Sequence, residues 1–228
     1  MAGLTSTILP VCAILIGAIA SAWRRPSDTV VAGVQHLAAG VVFAAAAAEI
    51  LPQVLHGESP IATLTGGAAG VALMLTLKAI GTRMSGPVAM LGAVAIDILI
   101  DGLVLGLAFV AGEKAGRLLT IALTLEVLFL GLTVTEALHG RVRSRIAIVG
   151  TTLLIGLLLP VGAAIATPVA TLPTVVVTAL LSFGLMALLY LVTEELLVEA
   201  HEKPDTPLIT TMFFVGFLGL LLLEETAF

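Results

Sequence analysis

The chain contains 228 residues, of which 59% are hydrophobic and 11% are charged, and its mean hydropathy is +1.19. These values lie outside the usual composition of a soluble domain and predict an integral membrane protein with one domain over residues 1–228. The net charge of -5 leaves no basic patch for a nucleic acid. The single cysteine, Cys12, lies in the first apolar stretch and is interpreted as an inert packing residue.

Eight apolar stretches follow one another along the chain, separated by charged residues or by proline and glycine. Each stretch is long enough to cross a bilayer as a helix, and residues 146–159, which are apolar on every face, argue against an outer-membrane barrel. We therefore predict an all-α integral membrane protein with eight transmembrane helices and no soluble catalytic domain. The predicted helices cover residues 4–23, 30–55, 61–80, 88–111, 118–138, 146–166, 174–198 and 207–223.

Lysine and arginine are distributed unevenly between the two sets of alternate loops. Only Lys114 and Arg117 fall on one side. The positive-inside rule makes the richer side cytoplasmic, which predicts a multi-pass protein of the cell (inner) membrane with both termini outside. The basic residues on the predicted cytoplasmic side are Arg24, Arg25, Lys78, Arg83, Arg141, Arg143, Arg145 and Lys203.

Three acidic residues lie deep in apolar stretches: Asp97 and Asp101 in the fourth predicted helix, and Glu126 in the fifth. Asp97 and Asp101 are one turn apart and share a face, and the helical rise predicts a common depth for Asp101 and Glu126. A carboxylate near the bilayer centre is costly, and no basic residue is predicted at this depth. The partners that remain are protons, water or a metal cation, and oxygen ligands suit divalent cations.

Two interpretations of these acids remain open. Three carboxylates around a dication leave one negative charge, so a metal site predicts a shared proton or a further polar ligand. Alternatively, the acids are protonated and form hydrogen bonds that hold the helices together. The hydrogen-bond partners in that case are Thr120, Thr124 or Thr133.

Further acids lie near the predicted helix ends. Glu49 is near the outer end of the second helix, Glu194 and Glu195 are near the inner end of the seventh with His201 after them, and Glu136 is near the inner end of the fifth. Solvated helix ends explain these positions. If the residues face one pore instead, they form a transport pathway that leads through the central acids.

Three sequence patterns resemble the ZIP family of metal-ion transporters. Residues 97–106, DILIDGLVLG, have the frame of the family's fourth-helix motif, His-Asn-x-x-Glu/Asp-Gly followed by small and apolar residues. Residues 37–43 with 50–52 are similar to its second helix, and residues 194–201 to its seventh-helix motif. The resemblance covers nearly the whole chain and implies eight helices, with an inverted repeat of helices 1–3 and 6–8 around helices 4–5.

The chain departs from the family pattern at several ligand positions. The family's fourth-helix histidine and asparagine correspond to Asp97 and Ile98, and its paired fifth-helix acids are reduced to Glu126, with Leu130 in the other position. The resemblance therefore implies one metal site instead of a binuclear centre, formed by Asp97, Asp101 and Glu126 in a pocket between helices two, four, five and seven.

The resulting prediction is a transporter that moves a divalent cation, such as zinc, manganese or iron(II), toward the cytoplasm. A non-transporting metal-binding protein and a metal exporter are the alternatives. An intramembrane aspartyl protease is disfavoured because Asp97 and Asp101 lie on one helix, so we expect no enzyme activity and no organic cofactor. The expected partners are the metal cation and the lipid bilayer, with no nucleic acid; a homodimer is left open.

Overall fold

The computed structural model describes residues 2–23, 26–83, 87–139, 142, 144–201 and 206–227. These residues form helices and short connections without any strand, and eight of the helices are long and apolar enough to cross a membrane. This confirms the predicted all-α class and the predicted number of such helices. In chain order they are α1 (Gly3–Trp23), α2 (Asp28–His56), α3 (Pro60–Gly81), α4 (Met90–Ala111), α5 (Glu113–Leu138), α6 (Arg145–Thr171), α7 (Thr174–His201) and α8 (Pro207–Ala227).

Most helix boundaries lie close to the predicted ones, but α5 begins at Glu113 instead of residue 118, and α6 ends at Thr171 instead of residue 166. The acidic side chain of Glu113 in the first turn favours this start because it faces the positive end of the helix dipole. Lys114 and Arg117, which had been assigned to a loop, therefore belong to the beginning of α5. Five basic residues from the charge count lie outside the described residues: Arg24, Arg25, Arg141, Arg143 and Lys203.

Two helices change geometry at corresponding places near their ends. In α2 the segment Ala46–Ile50 is a π-helix and is followed by the short α-helical end Leu51–His56, which contains Pro52. In α7 the π-helical segment is Leu191–Leu196, and the α-helical end is Leu197–His201. Proline explains the irregularity in α2, because it lacks an N–H and crowds the preceding turn. π-Helical turns often occur at functional sites.

Glycines bring pairs of helices into close contact. At the α4–α6 contact, a Cβ on Gly102 would clash with the carbonyl oxygen of Leu159, and one on Gly162 would clash with that of Leu99. The α1–α5 contact is built in the same way from Gly17 and Gly131, and α2 packs against α8 and α3 against α7 through further glycines. Small residues are the usual means of bringing helices together in lipid, where apolar burial supplies no net driving force.

The helices therefore form two groups. One group contains α1, α4, α5 and α6, and the other contains α2, α3, α7 and α8. The groups meet mainly where α2 contacts α5 and where α7 contacts α4.

The position of Cys12 differs from the predicted one. The face of α1 toward α5 carries the buried residues Ile14 and Gly17, whereas Cys12 is exposed on the surface of α1. The interpretation of Cys12 as a packing residue is wrong, because an apolar stretch does not distinguish the packed face of a helix from the lipid-facing one.

Candidate metal centre

Asp97, Asp101 and Glu126, here called the central acids, come together in the middle of the helix bundle. One carboxylate oxygen from each of the three lies within 4.8 Å of the other two. Asp101 is 2% exposed and Glu126 is fully buried, whereas Asp97 is partly exposed. The sequence therefore predicted correctly that the three acids converge.

The connection between α4 and α5 explains this convergence. Helix α4 ends at Ala111 and α5 begins at Glu113, so Gly112 alone joins them into a tight antiparallel hairpin. Asp101 precedes Gly112 by eleven residues and Glu126 follows it by fourteen, which places them about 16 and 21 Å from the turn along their helices. The two side chains consequently lie at nearly the same depth.

Two of the central acids, Asp101 and Glu126, have buried oxygens without the hydrogen-bond partners that buried polar groups normally have. Oδ2 of Asp101 and both carboxyl oxygens of Glu126 are buried, and none of the three atoms has a partner. Leaving such a group unsatisfied costs about 1–3 kcal/mol, and more when it is charged. The site therefore contains buried carboxyl oxygens, and no hydrogen bond within the protein offsets the free-energy cost of removing them from water.

The expected threonine partners are bonded elsewhere. The hydroxyl of Thr120 donates to the carbonyl oxygen of Gly116 at 2.7 Å, and that of Thr124 donates to Thr120 O at 2.6 Å. Thr133 donates to backbone oxygens one turn earlier in the same way. Asp101 Oδ2 and the two carboxyl oxygens of Glu126 form no hydrogen bond with these threonines, whose hydroxyls donate to their own helix backbone instead.

The donor set fits a divalent cation. Ligand oxygens 2.0–2.6 Å from an ion lie about 3–5 Å from one another, and the 4.8 Å limit on the central acids falls within this range. Carboxylate oxygens are hard ligands that suit manganese, magnesium and calcium, whereas nitrogen and sulfur ligands suit softer metals. Among the described residues, this is the only group of three or more acids, histidines or cysteines with ligand atoms so close together.

A cavity of about 330 Å³ connects two of the central acids with the predicted cytoplasmic end of the bundle. Asp97 and Glu126 line it together with Glu195, Glu199 and Lys78. The described lining residues come from α3, α4, α5 and α7, so α3 takes the place that the sequence analysis assigned to helix two. We refer to this space as the acidic cavity.

Only some of the residues predicted for the transport pathway line the acidic cavity. Glu194 and Glu195 line the acidic cavity, and Glu194 forms an ion pair with Lys78 at 3.0 Å. Glu136 and His201 are not among its described lining residues. The ring of His201 packs against that of His36 on α2, with 5.2 Å between ring centroids.

Glu49 lies at the opposite end of the bundle, where its carboxylate is 3.6 Å from the ammonium group of Lys114. The structure thus brings two of the central acids, Asp97 and Glu126, together with Glu194 and Glu195 around one cavity and leaves Glu49 separate. The transport role of all five pathway residues stays a prediction.

Two polar residues that line the acidic cavity, Lys78 and Glu199, were not predicted as site residues. Lys78 had been counted only as a loop charge, and Glu199 only as part of a motif. Glu199 Oε2 accepts a 2.7 Å hydrogen bond from the side-chain amide of Gln35, which is buried on α2. The position of Glu199 one turn after Glu195 was a usable signal, because such residues share a helix face.

No known protein family matches the sequence, and no curated protein is detectably similar to it. The fold and the site define a class: an α-helical membrane protein with eight candidate spans and a cluster of three acids, two of them buried, between the helices. The chemistry of that cluster and the charge around the acidic cavity are the basis for a functional proposal.

Proposed function

We propose that the protein carries divalent metal cations across the membrane and that the central acids are the binding site. The observation that carries this proposal is the set of buried carboxyl oxygens on Asp101 and Glu126 that have no partner. A dication offsets their burial, since it supplies the positive charge that the surrounding helices lack. A bound ion has a route to one side through the acidic cavity, whose wall acids Glu195 and Glu199 attract cations.

The packing of the helices supports our proposal that the chain has a ZIP-like fold with an inverted repeat. Exchanging helices 1–3 with helices 6–8, and α4 with α5, turns the α1–α5 contact into the α6–α4 contact. The same exchange turns the α2–α8 contact into the α7–α3 contact. The π-helical segments Ala46–Ile50 and Leu191–Leu196 are also exchanged, and both carry acids. Transporters with inverted repeats bind their substrate at the interface between such halves.

The charge distribution supports the proposed localisation, and the position of the acidic cavity supports the proposed direction of transport. The excess of lysine and arginine in alternate loops supports insertion in the inner cell membrane with both termini outside. The acidic cavity opens near the ends of α3 and α7, which in this orientation face the cytoplasm. We therefore propose inward movement of the cation.

The ligand types favour manganese or iron(II), although zinc also accepts carboxylate ligands. An experiment on purified protein in liposomes that contain a metal-sensitive dye tests the proposal. We expect saturable influx of Mn²⁺ that is lost in Asp101→Asn and retained in Glu225→Gln, which neutralises an exposed acid. Binding of Mn²⁺ without influx would favour the non-transporting alternative, and absence of both would refute the proposal.

A further inference from the structure

The tip of the hairpin formed by α4 and α5 is tied to the other group of helices. All three central acids belong to this hairpin, and its turn is the single residue Gly112. A Cβ on Gly112 would meet no atom within 4 Å, so the turn itself is in open space. Any contact that holds the tip must therefore come from residues next to the turn.

Lys114, two residues after Gly112, makes that contact. Its ammonium nitrogen is 2.8 Å from Glu224 Oε1 on α8 and 3.6 Å from Glu49 Oε1 on α2. The side chain of Glu49 is 9% exposed and that of Glu224 is 23% exposed, so the two carboxylates are largely withdrawn from water. We call these three residues the outer bridge, because they lie at the predicted outer end.

The outer bridge has no equivalent elsewhere in the part of the chain that the structure describes. The Lys78–Glu194 ion pair and the Gln35–Glu199 hydrogen bond each join two helices of the α2, α3, α7, α8 group. The nearby Arg117–Glu113 pair lies within α5. Among the described residues, the two ion pairs of Lys114 are thus the only ones between the hairpin and that group.

Between the outer bridge and the central acids, the face of α5 that points into the bundle is packed against other helices. The α5 residues between Lys114 and Glu126 that face the interior are fully buried: Leu118, Leu119, Ala122 and Leu123. The acidic cavity, in contrast, leads from the central acids to the other end. The structure therefore combines a tied, closed outer end with an open end on the opposite side.

We propose that Lys114 is a tethered cation that keeps the predicted outer end closed. Opening this end requires the hairpin to move away from α2 and α8, which separates the ammonium group from Glu49 and Glu224. A divalent cation promotes opening by competing with the ammonium group for these two carboxylates, because it brings twice the charge to them. This second step rests on the proposed transport of divalent cations, whereas the closing role of Lys114 does not.

Cysteine accessibility tests the closing role without any transport measurement. The reporters are Ala122→Cys, between the outer bridge and the central acids, and Leu130→Cys, which lines the acidic cavity. Each is placed in a Cys12→Ala background, and an impermeant thiol reagent is applied to right-side-out and to inside-out vesicles. Labelling at both faces also makes the test independent of the assumed orientation.

Adding Lys114→Gln should raise the labelling rate of the Ala122→Cys reporter from the outer-bridge side about three- to fivefold, because the substitution removes both ion pairs of Lys114 and each contributes a modest amount. It should also lower the labelling rate of the Leu130→Cys reporter, because opening one end at the expense of the other shifts a shared equilibrium. Lys114→Arg should restore both rates. Arg117→Gln is the matched control, since it removes a cation one turn away that pairs only within α5.

Unchanged rates in Lys114→Gln would overturn the proposal. Faster labelling of both reporters would overturn it as well, because that pattern reports a loosened fold instead of a shifted equilibrium. An effect of equal size in Arg117→Gln would show that net charge, and not the bridge, is responsible.

Adding Mn²⁺ to the protein with native Lys114 tests the competition step. We expect faster labelling of the Ala122→Cys reporter from the outer-bridge side, and no such effect in Glu224→Gln. Loss of the effect in Asp101→Asn would assign it to the central acids and overturn the competition step. If Lys114→Gln opens the outer end but no metal flux is found, the transport proposal fails and the closing role of Lys114 remains.

Discussion

Asp101→Asn separates the two interpretations of the central acids, because it removes a charge while preserving the shape of the side chain. Asp101 is 2% exposed, and its Oδ2 has no hydrogen-bond partner. In the absence of metal, the substitution relieves repulsion from Asp97 and Glu126. The metal-free protein should therefore be as stable as the native protein or more stable.

In the presence of metal the expected effect has the opposite sign. Loss of a residue that merely orients a metal ligand weakens binding about 10- to 100-fold, so loss of one of three anionic ligands should weaken it at least about 100-fold. A ligand at 100 times its Kd stabilises the folded state by about 2.7 kcal/mol, whereas at a concentration equal to the Kd it contributes about 0.4 kcal/mol. The metal-dependent stabilisation should thus fall by about 2.3 kcal/mol.

Thermal unfolding in detergent, with and without Mn²⁺, measures both effects. For a chain of this length, a change of about 2.3 kcal/mol corresponds to a difference of about 5–9 °C in the Tm increase caused by metal. Glu225→Gln is the control, because it removes an exposed carboxylate on α8 and should show the native response.

An equal increase in Tm with Mn²⁺ in Asp101→Asn and in the native protein would show that Asp101 is not a metal ligand. A lower Tm of the metal-free variant would contradict the prediction for the metal-free protein, because that result would mean that the Asp101 carboxyl group stabilises the fold without an ion.

Three further predictions concern the metal, the topology and the packing. Asp97→His supplies the residue found in the resembled family, and competition binding should show retained affinity with a preference shifted toward Zn²⁺; loss of all binding would contradict the assignment. In the Cys12→Ala background, a cysteine at Ser59 should react with an impermeant reagent outside intact cells and one at Ser144 should not, and the reverse pattern would invert the topology. Gly162→Ala should reduce the free energy of unfolding by about 1–3 kcal/mol, because the added Cβ meets the backbone of α4. Gly150→Ala should have little effect, because a Cβ there meets no atom within 4 Å. Equal denaturation midpoints for the two variants would disprove the close contact.

The class of the helices, their number and their approximate positions were determined by the sequence alone. Lipid offers no hydrogen-bond partner to the backbone. A stretch that is apolar on every face and long enough to cross the bilayer therefore forms an α-helix. The common depth of Asp101 and Glu126 was also predictable. The two helices are antiparallel and joined by a short turn, so the number of residues between each acid and the turn gives its depth. Both inferences depend only on distances along the chain.

The direction in which each side chain points was decided by the tertiary structure. In water, the apolar face of a helix marks the side that packs, but in a membrane both the packed face and the lipid-facing face are apolar. Cys12 shows the consequence, since it lies on the exposed side of a helix whose sequence gives no sign of it. The bond between Lys114 and Glu224 joins residues 110 positions apart. It exists only because α5 and α8 meet at one end of the bundle, and no pattern within either helix predicts that meeting.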